Sequence, residues 1–229
     1  MCIFQHSRLK IGAVKPMLNV CWQCGQYRAD KVIDPVGPFA ICPECGYRHP
    51  FRQLPLLLVS GASGAGKSTV CQALLGQMPE VVLLDSDILW RPEFNTPDDN
   101  YRAFFETWLR MCKNISQAGR PVVLFGVGVG VPSNLEACIE WRYFGPLHFL
   151  ALTCDSEILA NRLGERPAWR ETNQPAFVEA QLKLNEWFQT DGLQGGSPVT
   201  VIDTTNMALS ETRDSVARWI RARLSALDN

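Results

Sequence analysis

The sequence has no long hydrophobic run. No unbroken apolar stretch approaches the ~20 residues that a membrane-spanning helix requires, so no membrane partner is expected. The opening stretch, MCIFQHSRLKIGAVKPM, lacks the continuous apolar segment and small-residue cleavage site of a secretory signal. Net charge is nearly absent: 22 Lys and Arg stand against 23 Asp and Glu. That balance gives no general affinity for nucleic acid or membrane surfaces. Internal repeats and low-complexity segments are missing as well. What remains is ordinary globular composition, 46% apolar and 20% charged over 229 residues. That suits one domain of moderate size with a small appendage.

The charge is unevenly spread. Residues 1–53 carry seven Lys and Arg against three Asp and Glu (+4), which leaves fifteen against twenty (−5) for the rest. This asymmetry suggests two units. Residues 1–16 are expected to be a disordered leader, with Met1 and Met17 both open as the natural start. Residues 17–53 are dense in Gly and Pro, with short apolar runs that suit small β-hairpins. From residue 54 to 229 the pattern alternates. Strands are expected at PLLLVSG (55–61), VVLLD (81–85), PVVLFG (121–126), LHFLALT (147–153) and PVTVID (198–203). Helices are expected over 67–77, 98–118, 133–142, 155–163, 175–189 and 210–226. Continuous apolar strands between helices predict an α/β fold with a five-stranded parallel sheet covered on both faces. Ligands of such sheets sit at the carboxyl ends of the strands.

The first of these strands runs into Gly61-Ala62-Ser63-Gly64-Ala65-Gly66-Lys67-Ser68, a full match to G-x-x-x-x-G-K-[ST] in strand–loop–helix context. Glycines let backbone N–H groups curl around phosphate oxygens, and the helix N-terminus adds partial positive charge. Lys67 is placed to reach the β- and γ-phosphates and Ser68 to ligate Mg²⁺. Gly61, Ser63, Gly64, Ala65, Gly66, Lys67, Ser68 and Thr69 are therefore assigned to ATP. The alternative, a tight turn with a surface lysine, leaves the agreement of pattern and context unexplained.

Motors and switches of this kind need an acid at another strand end. PVVLFG instead ends in Gly126-Val127-Gly128-Val129-Gly130. Such a strand end is either a flexible loop or a place where a ligand approaches the backbone. The acids lie after VVLL, as Asp85 and Asp87. In this the chain resembles the small P-loop kinases of shikimate, gluconate, adenylyl-sulfate and nucleoside type, over roughly residues 55–227. The resemblance implies that Asp85 organises Mg²⁺ and that Asp87 binds the acceptor hydroxyl and takes its proton. The bland alternative is a helix cap.

The resemblance extends to ANRLGERPAWRETNQP, where Arg162, Arg166 and Arg170 recur every four residues. These kinases carry an arginine-bearing lid there, so a lid is expected near 162–174. Arg162 and Arg166 are preferred to Arg170. Pro167 argues against one continuous helix, although a solvated helix face is the alternative. Asp203 and Thr204, at the last strand end, are expected to border the adenine. Trp90, Arg91 and Phe94, with Tyr101, Phe104, Phe105 and Trp108 behind them, follow the aspartates. The last three are read as core packing; the rest tilt the acceptor toward a nucleoside or nucleotide.

The nine cysteines include CWQCG and CPECG, which set Cys21, Cys24, Cys42 and Cys45 as C-x₂-C-x₁₇-C-x₂-C. That spacing resembles a zinc ribbon. Four thiolates close a tetrahedral shell and leave no open catalytic position. A unit this small needs the metal's binding energy to fold. Without a secretory signal, paired cysteines point to a reduced compartment, so a cytoplasmic location is expected. His49 is expected at the surface, and Cys71, Cys112, Cys138 and Cys154 in the core. The sequence therefore predicts an ATP- and Mg²⁺-dependent kinase of a small-molecule acceptor, with a structural Zn²⁺ ribbon in front. The alternative is a nucleic-acid-associated or regulatory NTPase whose zinc ribbon recognises the partner. The oligomeric state stays open.

Overall fold

The computed structural model describes residues 18–170, 172–193 and 198–225. The expected leader, residues 1–16, lies outside them. The chain divides into two compact units between Phe51 and Arg52.

The first unit is an antiparallel sheet of three short strands, β1 (Val32–Asp34), β2 (Phe39–Ile41) and β3 (Arg48–Pro50), in the order β1-β2-β3. Two tight knuckles of like geometry accompany it. Cys21 N donates to Gln26 O and Gly25 N to Cys21 O, both at 2.8 Å; Cys42 N donates to Tyr47 O and Gly46 N to Cys42 O, both at 2.9 Å. Gly25 and Gly46 take φ of 74° and 72°, a left-handed conformation that glycine adopts without penalty. Each knuckle carries one buried and one exposed cysteine of the four.

The second unit is the expected parallel sheet. Its strands are β4 (Leu56–Ser60), β5 (Val82–Asp85), β6 (Val122–Phe125), β7 (Leu147–Thr153) and β8 (Val199–Asp203), in the order β5-β6-β4-β7-β8. Its helices are α1 (Lys67–Leu74), α2 (Arg102–Ser116), α3 (Pro132–Glu136), α4 (Ser156–Gly164), α5 (Pro175–Gln189) and α6 (Leu209–Ser225). Strand alternation divides the core. Leu56, Leu58, Val122 and Leu124 pack with Phe104, Trp108 and Leu109 of α2 and Phe188 of α5. Leu57, Val59, Val123 and Phe125 pack with Val70 and Leu74 of α1 and Val216 and Ile220 of α6. Side chains at successive strand positions leave opposite faces, so strands that read as continuous apolar runs are buried on both.

Three expected helices are shorter than their patterns, and the one expected over 67–77 ends at Leu74. The segment expected as helix from 98 begins at Arg102, because Asn100 and Tyr101 take φ of 48° and 57°. Three 3₁₀ turns, Ser86–Leu89, Pro92–Phe94 and Pro97–Asp99, fill the space before it. The segment 133–142 divides into α3 and a 3₁₀ turn, Ile139–Tyr143. Among the described residues no helix is long and apolar enough to cross a membrane.

Candidate active site and metal centre

The phosphate loop joins β4 to α1 at the carboxyl edge of the sheet. Gly61 takes φ 139°, and a Cβ there would stand 2.2 Å from Leu152 O on β7, so the loop leaves β4 pressed on its neighbour. Helix α1 starts after Gly66 with no side-chain cap. Its first N–H groups are therefore left for an anion. Lys67 is buried, and its Nζ donates to Gly61 O and Ala62 O, each at 2.9 Å. Burial pulls the ammonium down to about 8; Asp87 and Asp85 pull it back up, and Arg166 pushes it further down.

Ser63, Gly64, Gly66, Lys67, Ser68, Thr69, Asp85 and Asp87 share one cleft with Gly126, Val127, Arg166 and Arg170. Asp85 ends β5, and its Oδ1 accepts from Asp87 N at 3.0 Å, capping the turn Ser86–Leu89. Cap and cleft are thus not alternatives for this residue. Asp87 stands on that turn, facing a mixed field. Loss of solvent and then the Asp85 charge push its carboxyl above the ordinary range, while Lys67, Arg170 and Arg166 pull it down. Burial and Arg170 lower the Arg166 guanidinium in turn. Two carboxylates and three cations therefore converge on the phosphate loop.

The glycine-rich end of β6 has a packing origin. A Cβ on Gly126 would stand 2.1 Å from Ser86 Oγ, and one on Gly130 would stand 2.4 Å from Ser60 Cβ. The missing side chains make room for neighbouring strand ends. Gly126 reaches the cleft as well, with Val127.

Other expected residues lie elsewhere. Gly61 and Ala65 are buried members of the loop and do not line the cleft. Arg162, on α4, is not part of the cleft lining, whereas Arg170 is. The chain turns after α4, and the 3₁₀ turn Ala168–Arg170 brings the later arginine forward. Asp203 accepts from Thr205 N at 2.9 Å and Thr205 Oγ1 at 2.5 Å, and these bonds hold its carboxyl below the usual range. Thr204 is buried, with Oγ1 donating to Thr153 O at 2.9 Å. Thr204 ties the ends of β7 and β8, the Asp203 bonds are local, and neither residue lines the cleft. Phe104, Phe105 and Trp108 are buried core, as is Phe94; Trp90 is 46% exposed, tilted against Tyr101 and edge-on to Phe104.

In the first unit the four sulfurs of Cys21, Cys24, Cys42 and Cys45 lie within 4.8 Å of one another. Cys21 Sγ is 3.5 Å from Cys45 Sγ, and Cys24 Sγ is 3.9 Å from Cys42 Sγ. A zinc–sulfur distance of ~2.3 Å sets tetrahedral sulfurs about 3.8 Å apart, so the cluster fits a zinc ribbon. Burial pushes the Cys21 thiol up, but the Cys24 N–H, His49 and the Gln23 N–H bring it down to about 5. The Tyr47 N–H draws Cys45 down, yet burial and the three neighbouring sulfurs push it to about 12. Four thiols this close cannot all ionise without a cation among them.

His49 is wholly buried, not at the surface as its place beyond the second pair suggests. It pairs with Ala40 in the register of β2 and β3, and both point inward. Lys31 is buried too, its Nζ donating to Leu18 O and, at 2.7 Å, to Arg28 O. Arg28 pairs with Asp30 and Glu44, and Arg48 with Asp34 at 2.8 Å. Arg28, Lys31 and Arg48 of this unit are thus paired or buried. Cys71, Cys112, Cys138 and Cys154 are buried free thiols, as expected.

Sheet order and phosphate loop together define a nucleotide-binding α/β protein of P-loop kinase-like fold. Residues 56–189 match a family model described as AAA domain, and the chain belongs to that family. No curated protein matches the sequence. Among solved structures, a sugar kinase from Janibacter sp. HTCC2649 superposes with a TM-score of 0.57 at 16% identity, over 73% of this chain and 95% of the other. A gluconokinase from Sinorhizobium meliloti 1021 superposes at 0.54 and 20% identity, over 77% and 97%. The tunicamycin resistance protein of Deinococcus radiodurans gives 0.51 at 16%, over 74% and 96%. At these identities the likeness is one of fold.

Proposed function

We propose that the protein is an ATP-dependent phosphotransferase acting on a small-molecule acceptor, a nucleoside or nucleotide in preference to a sugar acid. The observation that carries this is the convergence of Asp85, Asp87, Arg166 and Arg170 on the phosphate loop around Lys67. In the reaction an acceptor hydroxyl oxygen attacks the γ-phosphorus and its proton passes to Asp87. The bond from that phosphorus to the β,γ-bridging oxygen breaks, and ADP leaves. Phosphoryl transfer asks mainly for positioning and charge neutralisation. Loop N–H groups and Lys67 hold the phosphates, Arg166 and Arg170 close over them from a lid at 162–174, and Asp87 orients the nucleophile. Ser68 and Asp85 are the residues that would hold Mg²⁺, which supplies charge neutralisation on the phosphates. The base preference rests on Trp90, exposed three residues beyond Asp87.

Residues 17–53 form, on this proposal, a ribbon that binds one structural Zn²⁺ through four cysteines, ahead of a kinase-like domain over 54–229. A cytoplasmic location belongs to the same proposal, since two C-x₂-C pairs that hold a metal suit a reducing compartment. The test is ADP release by purified protein against a panel of nucleosides, nucleotides and sugar acids. Acceptor-dependent release supports the proposal, and acceptor-independent turnover stimulated by DNA or RNA supports the regulatory NTPase instead.

A further inference from the structure

Gln181 and Asn185 stand one turn apart on helix α5, and both carboxamides grip backbone at the edge where the phosphate loop emerges. Gln181 is 9% exposed, and its Oε1 accepts a hydrogen bond from Ser63 N at 2.7 Å, across 118 positions of sequence. Asn185 is fully buried. Its Nδ2 donates to Cys154 O at 2.8 Å and its Oδ1 accepts from Cys154 N at 3.2 Å, just beyond β7. Two residues back along that strand, Leu152 O is the atom that excludes any side chain from Gly61. Asn185 thus fixes α5 to the strand on which the loop rests, and Gln181 reaches from the same helix to the loop itself. Neither amide lines the cleft, and neither belongs to the G-x-x-x-x-G-K-[ST] pattern.

A phosphate loop binds through N–H groups that already point at the ligand. A segment with three glycines in six residues has much freedom to lose on binding. A hydrogen bond made before the ligand arrives removes part of that cost and strengthens binding. We propose that Gln181 is a positioning residue that preorders the phosphate loop through the Ser63 N–H. Helix α5 begins at Pro175, five residues after Arg170, so the element that follows the arginine-bearing turn is also the one that sets the loop.

This inference rests on the nucleotide-binding assignment of the loop, and the experiment separates the two. Calorimetric titration of the full chain with MgADP compares wild type with Gln181→Met, which keeps volume and removes the acceptor. Loss of one neutral hydrogen bond predicts about five- to tenfold weaker MgADP binding, with the melting temperature of the free protein nearly unchanged. If wild type binds MgADP and Gln181→Met binds it equally well, the inference fails and the site assignment stands. Absence of MgADP binding by wild type overturns both. Should the variant not fold, hydrogen exchange of wild type decides. Slow exchange of Ser63 N–H in the free protein supports the inference, and exchange at the rate of an open loop refutes it.

Discussion

Asp87 carries the most specific chemistry proposed for this chain, and it does so from a one-turn element. Asp85 caps that turn through Asp87 N, so the first carboxylate sets where the second one stands. Asp87→Asn keeps the shape and the turn but removes the proton acceptor. The variant should lose at least about 100-fold in transfer rate while nucleotide affinity stays within about twofold, measured by steady-state kinetics and calorimetry on the same preparation. Equal turnover in variant and wild type would remove Asp87 from its role. Much at this scale was legible in the sequence, because a phosphate loop fixes the meaning of acids at the next strand end. What stayed hidden depends on how the chain turns. Arg162 and Arg170 are equivalent in a four-residue spacing, and only the turn after α4 brings Arg170 to the cleft. His49 looks terminal in sequence and is buried by strand register. Gly126 reads as room for a ligand and does reach the cleft, but that its missing side chain also makes room for Ser86 Oγ is not visible in the sequence. Gln181 offers no signal at all, since a glutamine in a helix pattern reads as solvent-facing.

Among the elements, the strands were the easiest to place. Runs such as LLLV and VVLF are buried on both faces and carry the parallel sheet by themselves. Helix starts were harder, because Asn100 and Tyr101 leave the helical region where the apolar spacing alone would continue. The anchoring of α2 was not legible either. Glu140, wholly buried on the turn Ile139–Tyr143, pairs with the buried Lys113 and accepts from Arg110 Nε at 2.9 Å. Lys113 also stands 4.2 Å over the Tyr143 ring. Removing one partner of a buried pair leaves an uncompensated charge, at a cost of roughly 3–5 kcal/mol. Glu140→Gln keeps a hydrogen-bonding group, so about 3 kcal/mol is expected from denaturant unfolding, with the cysteine cluster's metal content unchanged. A change below about 1 kcal/mol would show that the pair is not what fixes the turn to α2.

At the scale of the whole molecule the two units hold together by different means. The larger one has continuous apolar layers on both faces of its sheet. The smaller one has three-residue strands, too little to fold on apolar burial alone, and a cluster of four thiols that fits Zn²⁺. Metal analysis should return one zinc per chain. A strong chelator should then abolish the ordered signals of residues 18–51, read by backbone NMR, and leave those of the sheet in 52–225 in place. Loss of both sets together, or of neither, would contradict a metal-dependent ribbon beside a self-sufficient nucleotide-binding unit.

The central claim is that the cleft transfers phosphate to an acceptor, and the most direct test follows both products at once. Purified protein with MgATP is offered nucleosides, nucleotides and sugar acids, and ADP release and phosphorylated acceptor are counted together. The account predicts ADP release that depends on one acceptor class and matches its phosphorylation one for one. ADP released without any acceptor and raised by DNA or RNA would contradict it.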